Sequence, residues 1–248
     1  MRIGAKGGVF VQDAVSVSEN RGLSREGLKL LASVCMLIDH VGLTRFPGAL
    51  WLRCVGRLAF PSYCFFLAQG FRHTGSRGRY LARLVLMALI SEPAFDRMIY
   101  GAWFDPRGQN VLWTLALGLL AIWALSLARG RGWVWIAGGL GAAALCCLAG
   151  DWLCVDYGSF GVALCLLLWA FWQAPSGQVL CAGAFLAMCW GWDMVRLPGT
   201  DLPMEIFGVL ALPLLSLYRG RRRTGSRALR WAFYWFYPLH MLLLGLLF

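Results

Sequence analysis

Charge is what this sequence has least of. Only 14% of its 248 residues are Asp, Glu, Lys or Arg, whereas a soluble domain of ordinary composition is about a quarter charged. There are three histidines, and the nine cysteines include no CxxC pair, so neither a metal centre nor redox chemistry is expected. Cys35, Cys54, Cys64, Cys146, Cys147, Cys165, Cys181 and Cys189 fall inside apolar runs, where a thiol serves as a small polarizable filler. Residues 1–27 carry Arg2, Lys6, Asp13, Glu19, Arg21, Arg25 and Glu26 without the apolar stretch of a cleaved signal peptide. They read as a cytoplasmic tail. No low-complexity tract, repeat or long linker interrupts the remainder, so 28–248 reads as one domain.

What the sequence has in abundance is apolar length. Hydrophobic residues make up 59% and the mean hydropathy is +0.63. Runs long enough to cross a bilayer recur near 28–46, 48–71, 80–99, 109–128, 132–149, 157–173, 178–195, 204–218 and 229–247. The expected fold is an all-α polytopic membrane protein of about nine transmembrane helices, with 157–173 and 204–218 short enough to be re-entrant or tilted instead. A cytoplasmic N-terminus puts seventeen basic residues in inner segments and only Arg45, Arg97, Arg107 and Arg196 in outer ones, which satisfies the positive-inside rule. The net charge of +11 thus reports orientation in the cytoplasmic membrane rather than a nucleic-acid partner.

Ionisable groups inside apolar runs cost roughly 2.5–3.5 kcal/mol each on insertion scales, so they mark pairing, a wet cavity or chemistry. Here they cluster. The first run holds Asp39 and His40, the second Arg53 and Arg57, the third Glu92 and Asp96, and the ninth Tyr237 and His240. At about 1.5 Å per residue, His40 and His240 lie at similar heights above the inner ends of their helices. Gln109 and Asn110 open the fourth run in the same layer. Treating the second and third runs as a tight hairpin centred near Gly75 pairs Arg57 with Glu92 and Arg53 with Asp96. Asp39 and His40 point about 100° apart on a helix, so Asp39 is a poor orienter for that imidazole and acts as a base or pairs with an arginine.

The stretches LKLLASVCMLIDHVG (28–42), RCVGRLAFPSYCFFLAQGFRHT (53–74), YLARLVLMALISEPAFD (80–96), QNVLWTLALGLLAI (109–122) and FYPLHMLLL (236–244) together resemble the TraX family, with DYGSFGVALCLLL (156–168) a weaker echo. In SEPAFD the proline follows Glu92 directly, where the family pattern has one residue between them. The resemblance implies a polytopic protein associated with N-terminal acetylation of pilin and related to acyl-CoA-dependent membrane acyltransferases. It also implies that Asp39, His40, Arg57, Glu92, Asn110 and His240 belong to the active centre.

On that footing the expected chemistry is transfer of an acetyl group from cytoplasmic acetyl-CoA to an amine or hydroxyl at the outer side. The acceptor is a pilin-like or other exported peptide, or a small molecule. His40 is the first choice as base, with His240 the alternative or the acid for the leaving thiolate. Arg57 or Asn110 would stabilise the oxyanion. Arg72, Arg77 and Arg79, with His73 beside them, would hold the donor's phosphates. Two rival classes use the same residues differently: a proton- or ion-coupled transporter, and a non-catalytic assembly factor.

Overall fold

A computed structural model describes residues 24–189, 194–197, 200–218 and 227–247. Most of the N-terminal tail and the basic run Arg221–Arg223 lie outside the described residues. Among the described residues ten α-helices follow in order: α1 (Arg25–Thr44), α2 (Leu50–Gly56), α3 (Ala59–His73), α4 (Arg77–Tyr100), α5 (Val111–Ala128), α6 (Trp133–Trp152), α7 (Gly158–Phe171), α8 (Pro175–Met188), α9 (Ala211–Ser216) and α10 (Arg227–Leu247).

Local chemistry explains where they start. Ser24, Ser76 and Asn110 cap α1, α4 and α5 by accepting from the backbone N–H of Gly27, Arg79 and Leu112, which satisfies donors that the first helical turn leaves orphaned. Gly101 closes α4 with φ 72°, a left-handed cap that glycine adopts without a Cβ clash.

Three expected runs are altered. The second is two helices, broken at Arg57 and Leu58. Pro61 explains the break, because it has no N–H for the carbonyl of Arg57 and sits in the first turn of α3, where none is needed. The seventh run stops at Met188, and Met194–Leu197 pairs antiparallel with Thr200–Pro203. In sequence the turn-forming Pro198–Gly199 stands between these strands. The eighth run is a tight 3₁₀ stretch, Met204–Leu210, followed by the short α9.

α1, α5 and α6 are each long and apolar enough to cross a membrane. The outward face of α6 carries Trp133, Trp135, Leu140, Leu145, Leu148 and Trp152, all exposed. An apolar face of that extent is disfavoured in water and suited to lipid. The main core joins α3, α5 and α7 through Phe65, Leu119, Ile122, Leu164 and Leu168. A second core of Cys35, Met36, Ala94, Phe95, Met241 and Leu244 locks α1, α4 and α10 together. α4 packs chiefly against α10 and α5, and this arrangement brings the end of the chain to the first helix.

Candidate functional site

A cavity of about 920 Å³ runs between α1, α3, α4, α5 and α10. Its lining extends along α1 from Arg25 and Lys29 to His40 and Leu43. Lys29 and His40 are eleven residues apart, roughly 16 Å on a helix, so the cavity follows most of that helix. One end is basic, with Arg25, Lys29, His73 and Arg83, and aromatic, with Tyr80, Phe233 and Tyr234. The other holds Asp39, His40, Arg53, Arg57, Tyr100, Gln109 and Asp156.

The polar end is a charge network drawn from α1, from α2 with the break that follows it, and from the 3₁₀ stretch. Arg57 grips both oxygens of Asp39 with Nη2, each at 2.7 Å, and donates Nη1 to Glu205 Oε1 at 2.6 Å. Arg53 Nη1 reaches Asp39 Oδ2 at 2.7 Å. Asp39, Arg57 and Glu205 are buried, a setting in which each charge depends on its partners. Arg57 reaches this position because the chain breaks there. Gly56, directly before it, is packed so tightly on Asp39 that a Cβ would collide with the Asp39 side chain. Gly56→Ala is therefore expected to cost about 1–3 kcal/mol by overpacking, read as a lowered Tm of the purified protein, with an unchanged Tm contradicting the contact.

The expected hairpin pairing of Arg57 with Glu92 and Arg53 with Asp96 is not found. Both arginines turn instead to Asp39 and Glu205. The pairing presumed one straight second helix laid along the third, but that run is broken and α4 lies against α10 and α5. Glu92 instead accepts from the backbone and side-chain N–H of Asn110 and from Trp113 Nε1. The Asn110 amide also donates to the Ala88 carbonyl. Glu92 and Asn110 thus clamp α4 to the start of α5, and neither lines the cavity. Asp96 accepts from the backbone N–H of Asp105 at 2.9 Å, in a loop where the Arg107 guanidinium holds the Asp105 carboxyl below its usual range.

The similar heights expected for the two histidines correspond to a direct contact. His40 Nδ1 lies 2.7 Å from His240 Nε2, and His240 Nδ1 lies 2.6 Å from the Phe236 carbonyl. The rings are nearly parallel, with their planes at 6° and centroids 4.9 Å apart. Asp39 does pair with arginines and leaves the imidazole to another orienter, as its angular offset on α1 requires.

Among the expected phosphate ligands, only His73 lines the cavity. Arg72 donates to the Trp169 carbonyl, Arg77 covers the Phe71 ring and Arg79 is exposed. The basic wall is made by Arg25, Lys29 and Arg83 instead, because the arginine side chains at the ends of α3 and α4 are drawn to Trp169 and Phe71 or to the surface.

Sequence reasoning also missed Glu205, Asp156 and Tyr157. Asp156 lines the cavity and lies within Coulombic range of Arg57, Glu205, Asp39 and Arg53. Its backbone is fixed on both sides, by its own N–H on the Gln109 carbonyl and by the Thr114 hydroxyl on its carbonyl. Tyr157 stacks on Phe60 at 3.8 Å. Both Cys154 and Tyr157 have positive φ, which is uncommon away from glycine and costs energy. The weak family echo at 156–168 was the signal in the sequence that pointed to this loop, and the backbone outlier is visible only in coordinates.

The sequence matches the family model described as TraX protein over residues 24–248. This chain belongs to the TraX family. A probable fimbrial assembly protein FimC, serogroup H1, of Dichelobacter nodosus is 32% identical to this TraX-family chain over 250 residues, 92% of this chain and 97% of that protein. An uncharacterized protein of Rickettsia prowazekii (strain Madrid E) is 38% identical over 55 residues, 22% of each chain. No solved structure matches. The match takes in the middle of the TraX-family chain, where Glu205 and Asp156 lie, as well as the stretches around the two histidines.

Proposed function

We propose that this protein is an acyltransferase of the cytoplasmic membrane, crossing it about nine times with a cytoplasmic N-terminus. It moves an acetyl group from cytoplasmic acetyl-CoA to an amine or hydroxyl at the outer side, with the N-terminus of a pilin-like or other exported peptide as the favoured acceptor. One observation carries the proposal: a single cavity has a basic, aromatic wall at one end and a histidine beside arginines and carboxylates at the other. The first end suits the phosphates and adenine of a CoA donor, and the second suits acyl transfer.

In this mechanism the acceptor attacks the thioester carbonyl and its proton passes to His40. The C–S bond then breaks, and His40 returns the proton to the departing thiolate, giving acetylated acceptor and free CoA. Arg57 has both terminal nitrogens committed to carboxylates, so Arg53 is the better oxyanion donor. Its bonds to Asp39 use Nη1, leaving Nε and Nη2 for a developing charge, an effect worth roughly 2.7–4 kcal/mol per donor in known cases. Asp39 and Glu205 hold the two arginines in place.

Lys29→Ala and Arg83→Ala are expected to raise KM for acetyl-CoA with little change in kcat, because they remove binding shared by the ground and transition states. Arg79→Ala, off the cavity, should leave KM as it was. The measurement is transfer of labelled acetyl from acetyl-CoA by the purified protein. Unaltered KM in both cavity variants would remove this end as the donor site, and no transfer by the wild type to peptide or small amine acceptors would overturn the proposal.

The printed name of the Dichelobacter nodosus relative, a probable fimbrial assembly protein, favours a second reading in which the chain assists pilus assembly without catalysis. Under it, variants at His40 assemble pili normally.

A further inference from the structure

The hydrogen bonds behind His40 admit one arrangement of protons when both rings are neutral. A carbonyl oxygen can only accept, so His240 Nδ1 carries the hydrogen across the 2.6 Å contact to Phe236. The other nitrogen of a neutral imidazole is then a lone pair, and His240 Nε2 is an acceptor. His40 Nδ1, at 2.7 Å from it, must donate. That leaves the lone pair of His40 on Nε2.

We propose that His240 is a positioning residue that holds His40 in its Nδ1–H form, presenting the lone pair of Nε2 to the cavity that His40 lines. The proposal rests on the acyltransferase reading for its catalytic meaning, but the tautomer is a property of the folded protein whether or not acetyl-CoA is used. In other enzymes a buried carboxylate fixes the corresponding histidine. Here the adjacent carboxylate, Asp39, is occupied by Arg53 and Arg57, and Glu92 is occupied by Asn110 and Trp113. A neutral imidazole takes the role. It accepts one hydrogen bond without competing for those arginines, so the charge network and the base stay separate although Asp39 and His40 are neighbours in sequence.

The packing around His240 supports a fixed orienter rather than a mobile proton carrier. The residue is buried, stacked on Phe236 with centroids 4.7 Å apart and planes at 15°, and meets the ring of Tyr237 edge-on. Both of its nitrogens are engaged. His240 therefore offers no free nitrogen to a thiolate.

The chain has three histidines, which makes ¹⁵N-histidine NMR of the purified, detergent-solubilised protein readable, with His73→Ala identifying the third ring. At a pH where the rings are neutral, His40 is expected to show a protonated Nδ1 and a bare Nε2. His240→Phe keeps the stacked ring but removes the acceptor, and should shift His40 toward the Nε2–H form. His240→Gln supplies an amide oxygen as acceptor and should restore the Nδ1–H form. In labelled acetyl transfer, His240→Phe should lower kcat by roughly 10²-fold, less than the roughly 10⁴ seen where a triad aspartate is lost, with KM for acetyl-CoA unchanged and recovery in His240→Gln. A wild-type His40 in the Nε2–H form, or an unshifted His40 in His240→Phe, would overturn the assignment. If His240→Phe does not fold, the wild-type spectrum decides alone. Absent transfer with the expected spectra would overturn only the acyltransferase reading.

Discussion

Arg57→Ala is expected to destabilise the protein by about 3–5 kcal/mol, the cost of removing one partner from a buried ion pair. The guanidinium is the shared counter-charge of two carboxylates, Asp39 and Glu205, and their burial leaves each dependent on that partner. Arg53 would remain on Asp39, but Glu205 would be left without its ion pair, and the 3₁₀ stretch Met204–Leu210 would lose its polar tie to the break between α2 and α3. Arg57→Lys should recover part of the loss, because an ammonium keeps the charge but cannot form the fork that spans two carboxylates. Thermal unfolding of the purified protein checks both. A wild-type Tm in Arg57→Ala would show that the network does not hold these elements together.

His40→Gln is expected to abolish acetyl transfer by the larger factor, 10²–10⁴-fold in kcat, the usual contribution of a positioned general base. Stability should change little, since the glutamine side chain can still bond to His240. Transfer of labelled acetyl by purified protein, at matched expression, is the measurement. Near-normal transfer would end the assignment of His40 as base. Normal pilus assembly alongside lost transfer would separate the two readings of the family, because an assembly factor needs a folded chain but not this imidazole.

Much of the site was legible from residue type and depth. Asp39, His40, Arg53, Arg57 and His240 stood out because charged and titratable groups in apolar runs need partners. The fixed rise of a helix put the two histidines at one height, and the 100° step from Asp39 to His40 separated their roles. What failed was inference about which helices are neighbours. Arg57 could have met Glu92 at the same depth, and only the break at Pro61 and the packing of α4 on α10 decide that it meets Asp39 and Glu205. Similarly, Arg72, Arg77 and Arg79 satisfied the charge expected of a donor site. Their side chains turn to Trp169, to Phe71 and to the surface, and this direction is set by the end of a helix rather than by composition.

By itself the sequence determined that this chain is built of apolar helices, where along them the costly polar groups lie, and which family they mark. Those properties depend on one residue or one helix at a time. Only the tertiary structure decided that Glu205 and Asp156 join the centre, that Glu92 and Asn110 clamp two helices away from the cavity, and that His240 stands behind His40. Contacts between residues as far apart as 40 and 240 depend on how whole helices stack, and stacking is set by the summed fit of many apolar side chains, in which no single position carries the signal.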